Sequence, residues 1–414
     1  MKTHILSLSI LILPIISFGQ NNNAPSSYDP HDIKITGYLQ TQFQKAQSPG
    51  ITSFSGGDFS TNSDSRFMIR RGRLKIDRVD KYSSIVFQLD ATQDGIQLMD
   101  AFVQLRHPDY NFFNFTAGLF NRPFGYSIVY SSGYRDFPER ARVFQTIMPR
   151  ERDLGALIGF HSQSIAKFLT VEFAVVNGSG KNAKDYDSKK DIIGNLTFKF
   201  DSLANKKIHI GFGGSFYKGS VRSNTKTFYT PNNNGYTENT SDDFVGKNLN
   251  RTYYGANLQL QYDNSFGVTT FKTEYVAGKQ PGVAAGGPDK LLGPYASQSF
   301  GTQPLGNLFE RNFNGYYLWF TQQIAKTKFT ALCAYDVYDP NTKARGKTIG
   351  TAGNFTDDGD VKFNTLGYGL TYQLSPRLKL TVYNEHVKNE STSLKNYAHD
   401  IKDDVFTTRM QYRW

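Results

Sequence analysis

The residues best equipped for chemistry crowd into one stretch, YRDFPERARVFQTIMPRERDLG, spanning Tyr134–Gly155. With Arg122 just upstream, segment 121–153 holds six arginines (Arg122, Arg135, Arg140, Arg142, Arg150 and Arg152). Against them stand four carboxylates (Asp136, Glu139, Glu151 and Asp153), leaving a surplus of +2 and no lysine. A guanidinium stays charged and presents a planar fork of donors suited to a carboxylate or a phosphate. Two uses compete. Left bare at a narrow passage, such groups draw anions in and replace part of their lost hydration. Paired with Asp and Glu, they pin a segment in place. The small surplus argues that most of them pair with one another.

Other chemistries find little support. Seven histidines are scattered without metal-ligand spacing. GSGK (Gly178–Lys181) lacks the upstream glycine of a phosphate-binding loop. GFGGSF (Gly211–Phe216) reads as crowded strand packing. Asp357, Asp358 and Asp360 read as a solvated turn in preference to a calcium loop, and His107 begins another turn. No catalytic, cofactor-binding or metal-binding residue is assigned. The net charge of +11, or +10 once Lys2 leaves with the leader, favours anionic partners. Basic residues are spread through the chain with no arginine-rich arm, which argues against nucleic acid.

The elements that must position these groups have a period of two. Residues 1–19 form a secretory signal: Lys2, an apolar run from Ile5 to Phe18, then small residues. A short periplasmic segment, 20–32, follows. From 33 to 414, stretches such as IKITGYLQTQF (Ile33–Phe43) and SSIVFQLDA (Ser83–Ala91) alternate apolar with polar residues. Such alternation over about ten residues marks a strand with one apolar face. No convincing amphipathic helix appears. About 16 such stretches occur, starting near residues 33, 66, 83, 98, 113, 152, 169, 191, 208, 251, 266, 312, 328, 361, 378 and 404. The connections between them alternate long and short, except for a short third one near 92–97. Long loops on one side and short turns on the other, with an even strand number, describe a transmembrane antiparallel β-barrel. Closure removes the sheet edges that lipid could not satisfy. The chain contains 25 Tyr and 33 Phe, the aromatics that gather at membrane interfaces. Cys333 shares its parity with Phe329, Ala331 and Tyr335 and is expected to face lipid.

Five motifs occur in family order over roughly residues 66–160: RRGRLKID (Arg70–Asp77), DAFVQL (Asp100–Leu105), AGLFNRPFG (Ala117–Gly125), ERA (Glu139–Ala141) and RDLG (Arg152–Gly155). Together they resemble the phosphate-selective porin O and P family. The terminal Trp414 is similar to the assembly signal of bacterial outer-membrane barrels. The resemblance implies a 16-stranded barrel in the outer membrane, a homotrimer, passive conduction of small anions, and contact with lipid, lipopolysaccharide and the barrel assembly machinery. By analogy with general porins, the loop carrying the arginines folds into the barrel as a constriction. Arg71, Arg73 and Lys75 share one face and form a basic row toward the lumen, with Arg106, Arg409 and Arg413 at the same polar parity. Arg71 and Arg73 have no acid on their own face until Asp77, so they are expected to contact ions. Because segment 121–153 lacks lysine, the anion preference carries over and phosphate remains one candidate. Two alternatives stay open: a porin for sugars or other neutral or acidic nutrients, and a non-conducting structural or assembly barrel.

Overall fold

The computed structural model describes residues 33–107, 112–149, 151–162, 166–181, 184–285 and 303–414. The expected leader (1–19), segment 20–32 and Arg150 lie outside the described residues. The first half of the barrel comprises β1 (Ile33–Ala46), β2 (Ser65–Val79), β3 (Ser83–Thr92), β4 (Gly95–Arg106), β5 (Phe113–Asn121), β6 (Arg152–His161), β7 (Leu169–Val176) and β8 (Asp191–Leu203). After β9 (Ile208–Arg222) a hairpin intervenes, β10 (Thr227–Asn232) and β11 (Gly235–Thr240). The wall resumes with β12 (Asn248–Asp263), β13 (Val268–Gly282), β14 (Leu308–Gln323), β15 (Phe329–Asp339), β16 (Phe363–Gln373), β17 (Leu378–Asn389) and β18 (Val405–Arg413).

Sixteen of these strands form a closed antiparallel barrel. Each pairs with its chain neighbour, β9 pairs with β12 past the hairpin, and β18 returns to β1. The closing seam is tied at its end by Trp414, whose N–H donates to the Gly37 carbonyl at 3.1 Å. All sixteen expected strand starts fall within four residues of the observed ones. The tight β3–β4 turn is the short third connection seen in the alternation.

Alternation explains the wall. On β18, Phe406, Met410 and Tyr412 are exposed while Thr407, Arg409 and Gln411 are buried in the interior. On β15, Phe329 and Tyr335 are exposed, and so is Cys333. Apolar side chains point outward because lipid, not water, is their neighbour.

Three features depart from simple alternation. First, the connection after β9 contains the hairpin β10–β11, whose first strand also pairs in parallel with the start of β14. Second, loop 122–151 contains two short helices, α1 (Gly125–Val129) and α2 (Arg142–Ile147), where no helix was expected. Both are too brief for a 3.6-residue periodicity to show in sequence. Third, β2 carries a bulge: Gln40 pairs with Arg71 and Thr41 with Ile69, leaving Arg70 between them. A bulge reverses strand parity. Phe67 and Ile69 therefore point outward before it and Leu74 and Ile76 after it, while Arg70 and Arg71 both turn inward.

Loop 122–151 folds into the barrel. Its apolar side chains meet an aromatic sector of the inner wall. Phe144 packs edge-on against Tyr317, Phe124 against Tyr253, and Phe137 lies 4.9 Å from Trp319. Ile128, Val143, Ile147 and Met148 complete the cluster with Val276, Phe313 and Tyr338. The lumen is thus not uniformly polar; strands β9, β12, β14, β15 and β17 turn an aromatic face to the loop, and burying it holds the loop inside.

Cys333 supplies a check on this orientation. In lipid vesicles a hydrophilic maleimide should label it slowly, and denaturation should raise labelling to completion. Equal rates in both states would place Cys333 in water and contradict the outward face.

Candidate functional site

The loop is fastened to opposite walls by different chemistry. On one wall, Glu139 is gripped by three guanidiniums. Arg70 Nε lies 2.9 Å from Oε1, Arg71 Nη2 2.7 Å from Oε2, and Arg409 Nη2 2.8 Å from Oε1. These side chains come from β2 and β18, which both flank β1, so three arginines reach one point only because the barrel closes there. Gln40 and Gln42 of β1 accept from Arg71 and Arg409, fixing the planes of the guanidiniums. Arg409 also donates to the Pro138 carbonyl at 2.6 Å. The same wall holds the preceding residues: Tyr38 bonds the Ser132 hydroxyl, and Gln411 donates to the Gly133 carbonyl. Burial alone would raise the Glu139 carboxyl; the three arginines outweigh it and hold the group well below the ordinary carboxylate range.

On the facing wall, Glu274 of β13 accepts from the backbone N–H groups of Tyr126 and Ser127 at 3.1 and 2.8 Å. These are donors that the first turn of α1 leaves without helical partners. Gly125 makes this approach possible. Its φ is +61°, and a Cβ there would sit 1.8 Å from Glu274 Oε1. Within the loop, Arg140 donates to the Ser127 and Ile128 carbonyls and pairs with Glu151. At the loop's roots, Arg122 pairs with Asp153 at 2.7 Å, and Arg152 bridges Asp100 of β4 and Glu151 at 2.8 and 2.7 Å.

The remaining basic residues divide by partner. Arg73 meets Asp90 of β3 at 2.9 Å, Lys75 meets Asp77 at 3.6 Å, and Arg106 donates to the Asp80 carbonyl. Arg142 stacks between Phe54 and Phe363, and Arg413 lies over Tyr134. Arg135 differs from all of them. It is 3% exposed, and none of its three guanidinium nitrogens makes a hydrogen bond among the described residues. Lys379 of β17 donates to its carbonyl at 2.8 Å, and Lys272 of β13 reaches the adjacent Asp136 at 3.1 Å. Burial, with Arg71 nearby, pulls the Arg135 guanidinium down to about 10, so it remains charged at neutral pH.

Sequence parity found no acid beside Arg71 and Arg73; the structure supplies them from elsewhere, Glu139 from the loop and Asp90 from the next strand. Four participants were not singled out from sequence. Arg70 was hidden by the bulge, although the doubled Arg70-Arg71 was a visible signal. Lys272, Lys379 and Glu274 are isolated charges on alternating strands, and nothing local links them to a loop more than 100 residues away. The Asp357/Asp360 pair is occupied by Arg311, at 3.3 and 3.0 Å.

Comparison with known proteins fits this geometry. The profile of the phosphate-selective porin O and P family matches residues 50–414. No curated protein is significantly similar to the chain. Among solved structures, an anion-selective porin from Comamonas acidovorans superposes with a TM-score of 0.55 at 11% identity, covering 92% of this chain and 99% of that one. The outer-membrane channel DcaP of Acinetobacter baumannii gives 0.53 at 11% identity, with 92% and 97% covered. Salmonella typhi OmpF gives 0.51 at 12% identity, with the same coverage. At these identities the likeness is one of fold.

The state of Glu139 has a pH consequence. Its folded value lies below its ordinary 4.5. The clamp's contribution is therefore fully present above about pH 4.5 and is lost as pH falls through the lower, folded value. Trp319, against Phe137, can report this in a Trp414→Phe background: its emission should shift on acidification below pH 4.5. Glu139→Gln leaves buried cations without their carboxylate, a change of the kind that costs ~3–5 kcal/mol. It should shift the emission already at neutral pH and abolish the acid transition. An acid transition unchanged in Glu139→Gln would assign it to another group.

Proposed function

Because this chain belongs to the phosphate-selective porin O and P family, we propose that it forms a passive outer-membrane channel preferring small anions. The observation that carries the preference is Arg135, a buried guanidinium in the inward-folded loop whose donors meet no acceptor among the described residues. A buried charge without a close partner is costly to the fold. Its nitrogens are buried, so it acts on a passing anion through its charge without direct contact, and the weak attraction lets the ion leave. The neighbourhood has the same sign. Arg70, Arg71 and Arg409 share the single carboxylate of Glu139, and Lys379 spends its bond on a neutral carbonyl. Fixed positive charge in a narrow low-dielectric passage focuses the field on anions.

Phosphate belongs to this proposal as a specific case. The loop itself has no lysine, but Lys272 and Lys379 reach it from the wall, so ammonium groups stand beside Arg135 after all. The assembly is read as a homotrimer embedded in lipid and lipopolysaccharide, with Trp414 at the terminus presented to the assembly machinery. No reaction and no cofactor enter this reading.

Reversal potentials in a potassium chloride gradient across a planar bilayer test it. The native channel should favour chloride, and Arg135→Gln should lower the anion-to-cation permeability ratio at least twofold. A cation preference in the native channel would overturn the proposal. Phosphate added in the millimolar range should reduce the chloride current; absence of block would restrict the preference to anions in general.

A further inference from the structure

Away from the basic wall, the barrel holds a second compartment of different chemistry. It offers about 120 Å³ of free volume beneath α1, between the lumenal faces of β6–β9 and β12. Tyr126 and Val129 form its roof, and Asp201 and His209 stand beside the short turn at its open, periplasmic end. The glycine cluster of β9 explains the space. Gly211 lines the compartment, and a Cβ there would already come within 2.8 Å of Gln259 Oε1.

We propose that this compartment is a subsite for small neutral polyhydroxylated solutes, of monosaccharide size, the last contact before the periplasm. Three amides, Asn195, Asn257 and Gln259, line it, each offering a donor and an acceptor on one planar group. Vicinal hydroxyls present the same donor and acceptor pairing, so an amide can bond two of them at once. Gln259 already donates to Asn257 at 3.0 Å, which orients both amides. Asn195 is 7% exposed and donates to Glu172 at 3.2 Å. Its Oδ1 accepts no hydrogen bond among the described residues, a buried acceptor that a solute hydroxyl would satisfy. Tyr126, stacked on Tyr130 at 4.9 Å, offers a ring face to the apolar side of a sugar.

The charges disfavour an ionic occupant. Glu172 and Asp201 outnumber Lys199, so an anion gains nothing here. Both carboxylates already have partners: Glu172 has Asn195 and His161, the latter at 3.6 Å, and Asp201 has Lys199 at 3.3 Å. They remain good acceptors for hydroxyl groups without an unpaired charge to attract a cation. This site goes beyond the anion channel and uses none of its residues.

The test is direct binding of glucose to the full-length protein in detergent, by saturation-transfer NMR and by equilibrium dialysis with labelled glucose. Native protein should bind in the millimolar range. Asn195→Leu/Asn257→Leu should weaken binding at least fivefold while leaving the chloride reversal potential unchanged. Should that variant fail to fold, Gly211→Leu, which fills the floor against the flexible end of Gln259, should weaken binding likewise. No binding by the native protein, or native affinity in the folded variants, would overturn the proposal. Chloride conduction without glucose binding sinks only this inference; glucose binding without conduction sinks only the channel reading.

Discussion

The interior depends on one charge constraint: Glu139 cannot leave its three arginines, and they cannot do without it. Each guanidinium comes from a strand beside the closing seam, so the clamp forms only when β18 meets β1. Exposed ion pairs are worth little, but Glu139, Arg71 and Arg409 are nearly excluded from solvent, where a missing partner costs several kcal/mol, and Arg70 is partly buried. The clamp therefore couples barrel closure to the position of the loop. It also fixes residues 132–139 against the β1–β18 wall, which sets where Arg135 lies.

The opposite wall works mainly by burial, beside the Glu274 and Lys272 contacts. Tyr317, Trp319, Tyr253 and Phe313 face inward and cover the apolar side of α1 and α2. An aromatic inner wall would be wasteful in an open pore, since it would face water. With the loop against it, the same surface becomes a core. The loop is thus a partition with one charged edge and one apolar edge. The first edge presents guanidinium and ammonium groups, and amides lie beneath α1, where the loop forms a roof over bare glycine strand.

Most of the barrel was legible because its signals are local. Two-residue alternation, loop-length asymmetry and the terminal Trp414 each report on neighbouring residues, and together they locate sixteen strands. The inward loop was expected from family resemblance and its charged residues. What was not legible is long-range or parity-breaking. The Arg70 bulge inverts the pattern that parity relies on. The acid for Arg71 comes from the loop, the partners of Arg73 and Asp136 lie on other strands, and Glu274 reaches Tyr126 and Ser127 from across the barrel. The inward aromatics were not legible for a related reason: Tyr and Trp on an alternating strand look the same whether they face lipid or a plug.

Partner geometry also changes which arginine matters. In sequence, Arg71 and Arg73 look bare and Arg135 looks paired, since Asp136 follows it and Glu139 is close by. Backbone direction decides otherwise. Glu139 turns to the seam, Asp136 turns to Lys272 on β13, and Arg135 remains between them with its donors unspent. The surplus of +2 across segment 121–153 is therefore not spread over six arginines. Arg122, Arg140 and Arg152 are neutralised by carboxylates at or near the loop's roots, and Arg142 is sheltered between aromatic rings. The carboxylates of segment 121–153 brace Arg122, Arg140 and Arg152 and anchor the loop to two walls, and that bracing leaves the Arg135 guanidinium without a hydrogen bond among the described residues.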